Sequence, residues 1–112
     1  MIHVEAHGPE DGEVLLLCSG LGGSGNYWAD NVPALAQRYR VVTYDQRGTG
    51  RSPCTLPDPV RIVDMADDAE QVLDQVGARR CRLVGHALGG LIGLELAARN
   101  PHCVSHLVIV NG

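Results

Sequence analysis

The chain has 112 residues, 45% hydrophobic and 20% charged, the size and balance of one small globular domain. Nine Lys+Arg against thirteen Asp+Glu give a net charge of −4, and basic residues so few and so spread along the sequence argue against a nucleic-acid binder. No run approaches the roughly 18 apolar residues of a membrane span, and Met1-Ile2-His3-Val4-Glu5 carries no sign of a signal peptide.

In chain order, residues 2–6 form a short strand that stops at His7-Gly8-Pro9. Val14-Leu15-Leu16-Leu17-Cys18 is continuously apolar, the pattern of a strand buried on both faces. A Gly-rich loop follows, Ser19-Gly20-Leu21-Gly22-Gly23-Ser24-Gly25, and then a helix over residues 26–39 with an irregular first turn at Pro33. Residues 40–44 make a second buried strand, and Asp45-Gln46-Arg47-Gly48-Thr49-Gly50-Arg51-Ser52 a turn-rich loop.

The next helix is capped by Asp58, with Pro59 at its first position and Gly77 at its stop. Ile62, Met65, Ala66, Ala69, Val72, Leu73 and Val76 share one face; Asp64, Asp67, Asp68, Glu70, Gln71, Asp74 and Gln75 share a solvated one. Residues 81–84 form a third strand, and Gly85-His86-Ala87-Leu88-Gly89-Gly90 turns sharply into a helix over residues 88–99. That helix has one charge, Glu95, before its end, so burial nearly all round is expected. Residues 106–110 form a fourth buried strand. Strands alternating with helices predict an α/β fold with a mostly parallel sheet flanked by helices. The four cysteines lack metal-site spacing and read as free thiols of a cytoplasmic protein.

The glycines admit two readings. Gly20-Leu21-Gly22-Gly23-Ser24-Gly25 fits G-x-G-x-x-G after a strand, with Asp45 ending the next strand, as in a dinucleotide site. Against it, Tyr27, Trp28 and Pro33 stand where that site needs a regular helix packed closely on its strand, and an extra strand precedes the glycines. The second reading takes Gly85-His86-Ala87-Leu88-Gly89 as a nucleophile elbow, G-x-S-x-G with alanine in place of serine. Small flanking residues suit a strained central residue, so a positive φ is expected at Ala87. The Leu88 N–H, with a second from Leu21 after Ser19-Gly20, would then form an oxyanion hole.

In that order the motifs resemble the α/β-hydrolase superfamily: the Gly-rich loop, Trp28 on the next helix, Asp45-x-Arg47-Gly48-x-Gly50-x-Ser52, and the elbow. Within it, Ser19 through Gly25, Tyr44-Asp45-Gln46-Arg47-Gly48-Thr49-Gly50 and Val84 through Gly89 resemble the hydrolases of bacterial pyrimidine degradation, which also carry alanine at the elbow. The resemblance implies hydrolysis of a carbamate or 3-aminoacrylate in uracil breakdown, a small-molecule substrate, no cofactor, and no nucleic-acid or membrane partner.

It also implies that the acid and the catalytic histidine follow the elbow. Only residues 88–112 do so here, and neither His102 nor His106 matches the family's base. The chain therefore reads as the N-terminal part of a truncated α/β-hydrolase domain, without lid, acid or base and with little activity of its own. The alternatives are an ester or lactone hydrolase lineage that lost its nucleophile, or a non-catalytic small-molecule-binding fragment. The candidate substrate-binding positions are Gly20, Leu21, His86, Ala87 and Leu88. His86 reads first as turn support, Trp28 as a packing anchor, Asp45 and Arg47 as a charged turn. An apolar strand at 106–110 with no later neighbour is expected to self-associate.

Overall fold

The computed structural model describes residues 2–19, 28–46 and 61–110. Its elements are β1 (Val4–His7), β2 (Val14–Cys18), α1 (Val32–Leu35), β3 (Arg40–Tyr44), α2 (Ile62–Gln75), β4 (Cys81–His86), α3 (Leu88–Arg99) and β5 (Val104–Val110). The described strands form one sheet in the order β1-β3-β2-β4-β5. β1 runs antiparallel to β3; the other three pairings are parallel.

Alternation along the strands divides the core in two. Leu15, Leu17 and Val41 pack with Trp28 on the face that α1 covers, with Leu35 against them. Val14, Leu16, Cys18, Val42 and Tyr44 face the other way, onto Met65, Ala66, Ala69, Val72 and Leu73 of α2 and Ile92 and Leu96 of α3. α2 and α3 are further tied by Arg99, whose guanidinium reaches Asp67 and Glu70. No described helix is long and apolar enough to cross a membrane.

Several expectations need correction. The helix expected over residues 26–39 is, in its described part, one turn at Val32–Leu35 with Pro33 in that turn. α2 begins at Ile62, where the Arg61 N–H donates to the Asp64 carboxylate at 3.3 Å; Asp58 and Pro59 lie outside the described residues. Asp68, read as solvated, is buried at 4% exposure. α3 has the expected bounds but is not buried all round, since Leu91 and Leu94 are about half exposed. β5 starts at Val104 and is not a buried strand: it lies at the edge of the described sheet, with Val108, Ile109 and Val110 exposed.

Cys18, Cys81 and Cys103 are free and buried, as expected of thiols; Cys54 lies outside the described residues. Burial pushes the Cys18 thiol up to about 12, although the Tyr44 hydroxyl donates to its Sγ at 3.5 Å. At pH 8 that lowers the thiolate fraction about a thousandfold against an ordinary thiol near 9. Cys18 in the native protein should therefore resist iodoacetamide and react once urea unfolds the chain, as peptide mapping would show.

Candidate active site

β4 runs into the turn at Ala87, and α3 begins at the next residue. Ala87 has φ 54° and ψ −117°, the one positive φ at a non-glycine among the described residues. Such a conformation costs on the order of 1–3 kcal/mol and persists where its surroundings over-determine it. Here the Ala87 N–H donates to the Val110 carbonyl at 2.8 Å, and its own carbonyl accepts from the Gly90 N–H at 2.9 Å.

The flanking glycines are required by contact. A Cβ on Gly85 would lie 2.5 Å from the Gly89 carbonyl and the Gly90 nitrogen. A Cβ on Gly89 would lie 2.1 Å from the Cys18 carbonyl oxygen and 2.9 Å from that of Ser19. The first turn of α3 thus rests directly on the end of β2. Ser19, the last described residue before the Gly-rich loop, follows β2 at this point.

Of the expected site residues, His86, Ala87 and Leu88 come together at this turn, with Ala87 exposed and the other two half-buried. Leu88 opens α3, where the first N–H groups of a helix have no partner within it. A helix start is a natural place for negative charge to develop. Gly20 and Leu21 lie outside the described residues; Ser19, just before them, is buried at 2% exposure.

The Ser19 carbonyl accepts a bond from the Gln46 side-chain amide at 3.2 Å. Gln46 was legible only as a turn residue. Its signal is register: β3 pairs with β2, so the residues just past Tyr44 arrive beside Ser19. Asp45 is fully buried and its N–H bonds the His3 carbonyl at 3.1 Å, in keeping with a turn-ordering part; Arg47 lies outside the described residues.

On the α1 face, next to the elbow, is an open cavity of about 600 Å³ lined by Leu17, Trp28, Leu35, Val84 and Val110, with Asn31 and His86 as its polar side chains. It has the size and apolar lining of a small-molecule site. Trp28 is 8% exposed and packed on Leu15, Leu17 and Val41, so it is both a packing anchor and a cavity wall. His102 and His106 are remote. His106 precedes Val110 by four residues along β5, about 13 Å of strand, and His102 lies further back.

A mostly parallel sheet whose strand β4 runs into a strained turn between two glycines and on into a helix has the geometry of an α/β-hydrolase elbow. The profile of the alpha/beta hydrolase fold matches residues 13–112, and the chain belongs to that family. Two bacterial relatives carry the provisional name carbamate hydrolase RutD. That of Variovorax paradoxus is 55% identical over 98% of this chain and 42% of its own length. That of Caulobacter vibrioides is 52% identical over 99% of this chain and 42% of its own. The chain thus spans about 42% of these relatives. Among solved structures, a hydrolase from Pseudomonas aeruginosa superposes with a TM-score of 0.90 at 30% identity, over 96% of this chain and 40% of that one. The enol-lactonase from Burkholderia xenovorans superposes at 0.88 with 30% identity, over 95% and 41%.

Proposed function

We propose that this chain supplies the elbow of a hydrolase that releases ammonia from carbamate or 3-aminoacrylate in pyrimidine catabolism, in the cytoplasm, without a covalent intermediate. The observation that carries the reading is the elbow at Ala87: its backbone has the strained turn of a nucleophile site, and its side chain is a methyl group. A methyl cannot form an acyl-enzyme. What remains is the Leu88 N–H, which has no partner within α3, and the cavity that His86 lines; Gly20 and Leu21 are the proposed source of a second N–H.

On this reading water attacks the substrate carbon directly. With carbamate, the water oxygen bonds the carboxyl carbon, the charge on the substrate oxygens is met by backbone N–H groups, a water proton passes to the nitrogen, and the C–N bond breaks to give bicarbonate and ammonia. With 3-aminoacrylate, C2 first takes a proton from solvent, water then adds at C3, its proton passes to the nitrogen, and the C–N bond breaks to give malonic semialdehyde and ammonia, while the N–H groups hold the carboxylate. The test is ammonia release from carbamate and from 3-aminoacrylate, against the uncatalysed rate, by this chain joined to the remaining length of the Variovorax paradoxus relative; the 112 residues alone should release little. Acceleration of either supports the proposal, and no acceleration of both overturns it. Binding of a substrate analogue without ammonia release would instead support a non-catalytic ligand site, which the cavity beside Trp28 also fits.

Ala87→Ser should not create an esterase in the 112-residue chain. A serine hydroxyl is a weak nucleophile without a base, and His102 and His106 lie toward the other end of β5. Hydrolysis of p-nitrophenyl acetate should stay within about tenfold of the Ala87 parent. A larger rate, lost again on changing His86, would give that histidine a catalytic part.

A second copy of the chain is the proposed macromolecular partner. Val108, Ile109 and Val110 are 54%, 44% and 43% exposed on the edge strand β5. An apolar edge is a template for strand pairing. The 112-residue chain should therefore scatter light as dimers or larger species, and Val108→Lys should return it toward monomer.

A further inference from the structure

All nine basic residues are arginines, dispersed along the sequence. The fold collects five of them at one end. Arg38 and Arg40 lead into β3, and Arg79, Arg80 and Arg82 lead into β4, so all five lie where these parallel strands begin, opposite the elbow. The acidic residues there are Glu10 and Asp11, in the turn before β2, Glu13 just ahead of its start, and Asp74 in the last turn of α2.

Register sets which of these side chains meet. Leu15 stands opposite Arg82, and Arg82 opposite His106, so Arg82 and His106 are neighbours on the face that carries Leu15 and α1. Arg40 pairs with Val14 on the other face, where its guanidinium bonds the Val76 carbonyl at the end of α2. The β4–β5 ladder is irregular at this point: Cys81 pairs with Val104 but Arg82 with His106, so Ser105 bulges out. Bulges open a ladder and re-aim side chains, often at sites. The Ser105 hydroxyl bonds the Cys81 carbonyl at 3.2 Å and lies 3.1 Å from His106 Nδ1.

The result is a cavity of about 280 Å³ whose polar lining is Glu13, Arg80, Arg82, Ser105 and His106. Glu13 is its single carboxylate, and it accepts a bond from Arg82 Nε at 2.6 Å. That bond leaves the two terminal nitrogens of Arg82 for a ligand. Arg80 has no hydrogen bond or ion pair among the described residues. The Tyr39 ring lies beneath both Arg38 and Arg82, at 5.4 and 5.7 Å from its centre. The surplus positive charge registers on Glu13, whose carboxyl is held below its usual range by the bond and charge of Arg82, with Arg38 and His106 adding to it.

We propose that this cavity is a second ligand site, independent of the hydrolase reading, that takes a phosphate group through Arg80, Arg82 and His106, as the free ion or as the phosphoryl end of a small molecule. Two guanidinium groups and one carboxylate leave the lining one positive charge in surplus, and guanidinium forks suit the oxygens of a phosphate group. Glu13 opposes that anion and weakens its binding.

The test is calorimetric titration of the purified protein with inorganic phosphate and, separately, with glycerol 3-phosphate. One saturable site per chain is expected with a Kd below about 10 mM. Arg80→Gln should weaken it about tenfold or more. Glu13→Gln should strengthen it several-fold, an opposite sign that loss of folding cannot mimic. Arg61→Gln, remote from the cavity, should leave it unchanged. Tighter binding of the ester would mark a phosphorylated small molecule as the ligand; equal binding would mark the free ion. Absence of saturable binding, or equal weakening by Arg61→Gln, would overturn the proposal.

Discussion

Gly89→Ala is expected to cost more than about 3 kcal/mol of unfolding free energy, beyond the usual range for one added methyl. The new Cβ would lie 2.1 Å from the Cys18 carbonyl oxygen, a backbone atom in the middle of the sheet that has no rotamer by which to move away. α3 would have to lift from β2 and carry Ile92 and Leu96 out of the core with it. Gly77→Ala is the matched control. Its φ of +71° disfavours a side chain, but a Cβ there meets nothing within 4 Å, so about 1 kcal/mol is expected. Urea midpoints of the two variants, measured side by side, would separate steric exclusion at the elbow from the general cost of replacing a glycine. Similar losses in both would mean that α3 is not seated against β2 as described.

The second large effect is alkaline destabilisation. Burial raises Cys18 and Cys81 to about 12 from an ordinary value near 9, and Tyr44 moves upward for the same reason. Because the raised value belongs to the folded state, the unfolded chain releases these protons first as pH rises. The stabilisation is complete below pH 9 and drains away as pH climbs toward 12. Each thiol should remove about 1.4 kcal/mol per pH unit in that window. Unfolding in urea at pH 8, 9, 10 and 10.5 would give the slope. Cys18→Ala should flatten it by one thiol's share, whatever its effect on stability at pH 8. An unchanged slope in Cys18→Ala would mean that the thiol ionises in the folded protein.

Much of this fold was legible before any coordinates. Val14 through Cys18 is buried at every position, as an unbroken apolar run of that length should be in a parallel sheet. The bounds of α3 followed from a sharp Gly-flanked turn at one end and Asn100-Pro101 at the other, and the positive φ of Ala87 followed from the same glycines. What could not be read was what each face meets. An apolar helix signals burial, yet Leu91 and Leu94 are exposed because no described element lies over them. By its apolar run alone β5 reads as buried, whereas the separate expectation of an unpaired strand at 106–110 agrees with its place at the edge of the described sheet. Asp68 lies among acidic residues that are mostly solvated, and its burial depends on how α2 is rotated against the sheet. Gln46 became a site residue, and the arginines a cluster, only when strand register brought distant segments together.

The central claim is that an elbow with a methyl group in the nucleophile's place supports hydrolysis without a covalent intermediate. It is tested most directly by following ammonia release from 3-aminoacrylate and carbamate in the presence of excess fluorophosphonate, while intact mass reports any adduct. The account predicts release at an unchanged rate and no mass increase on the peptide containing Ala87. A stoichiometric adduct accompanied by loss of ammonia release would contradict it, because turnover would then depend on a nucleophile that Ala87 cannot be.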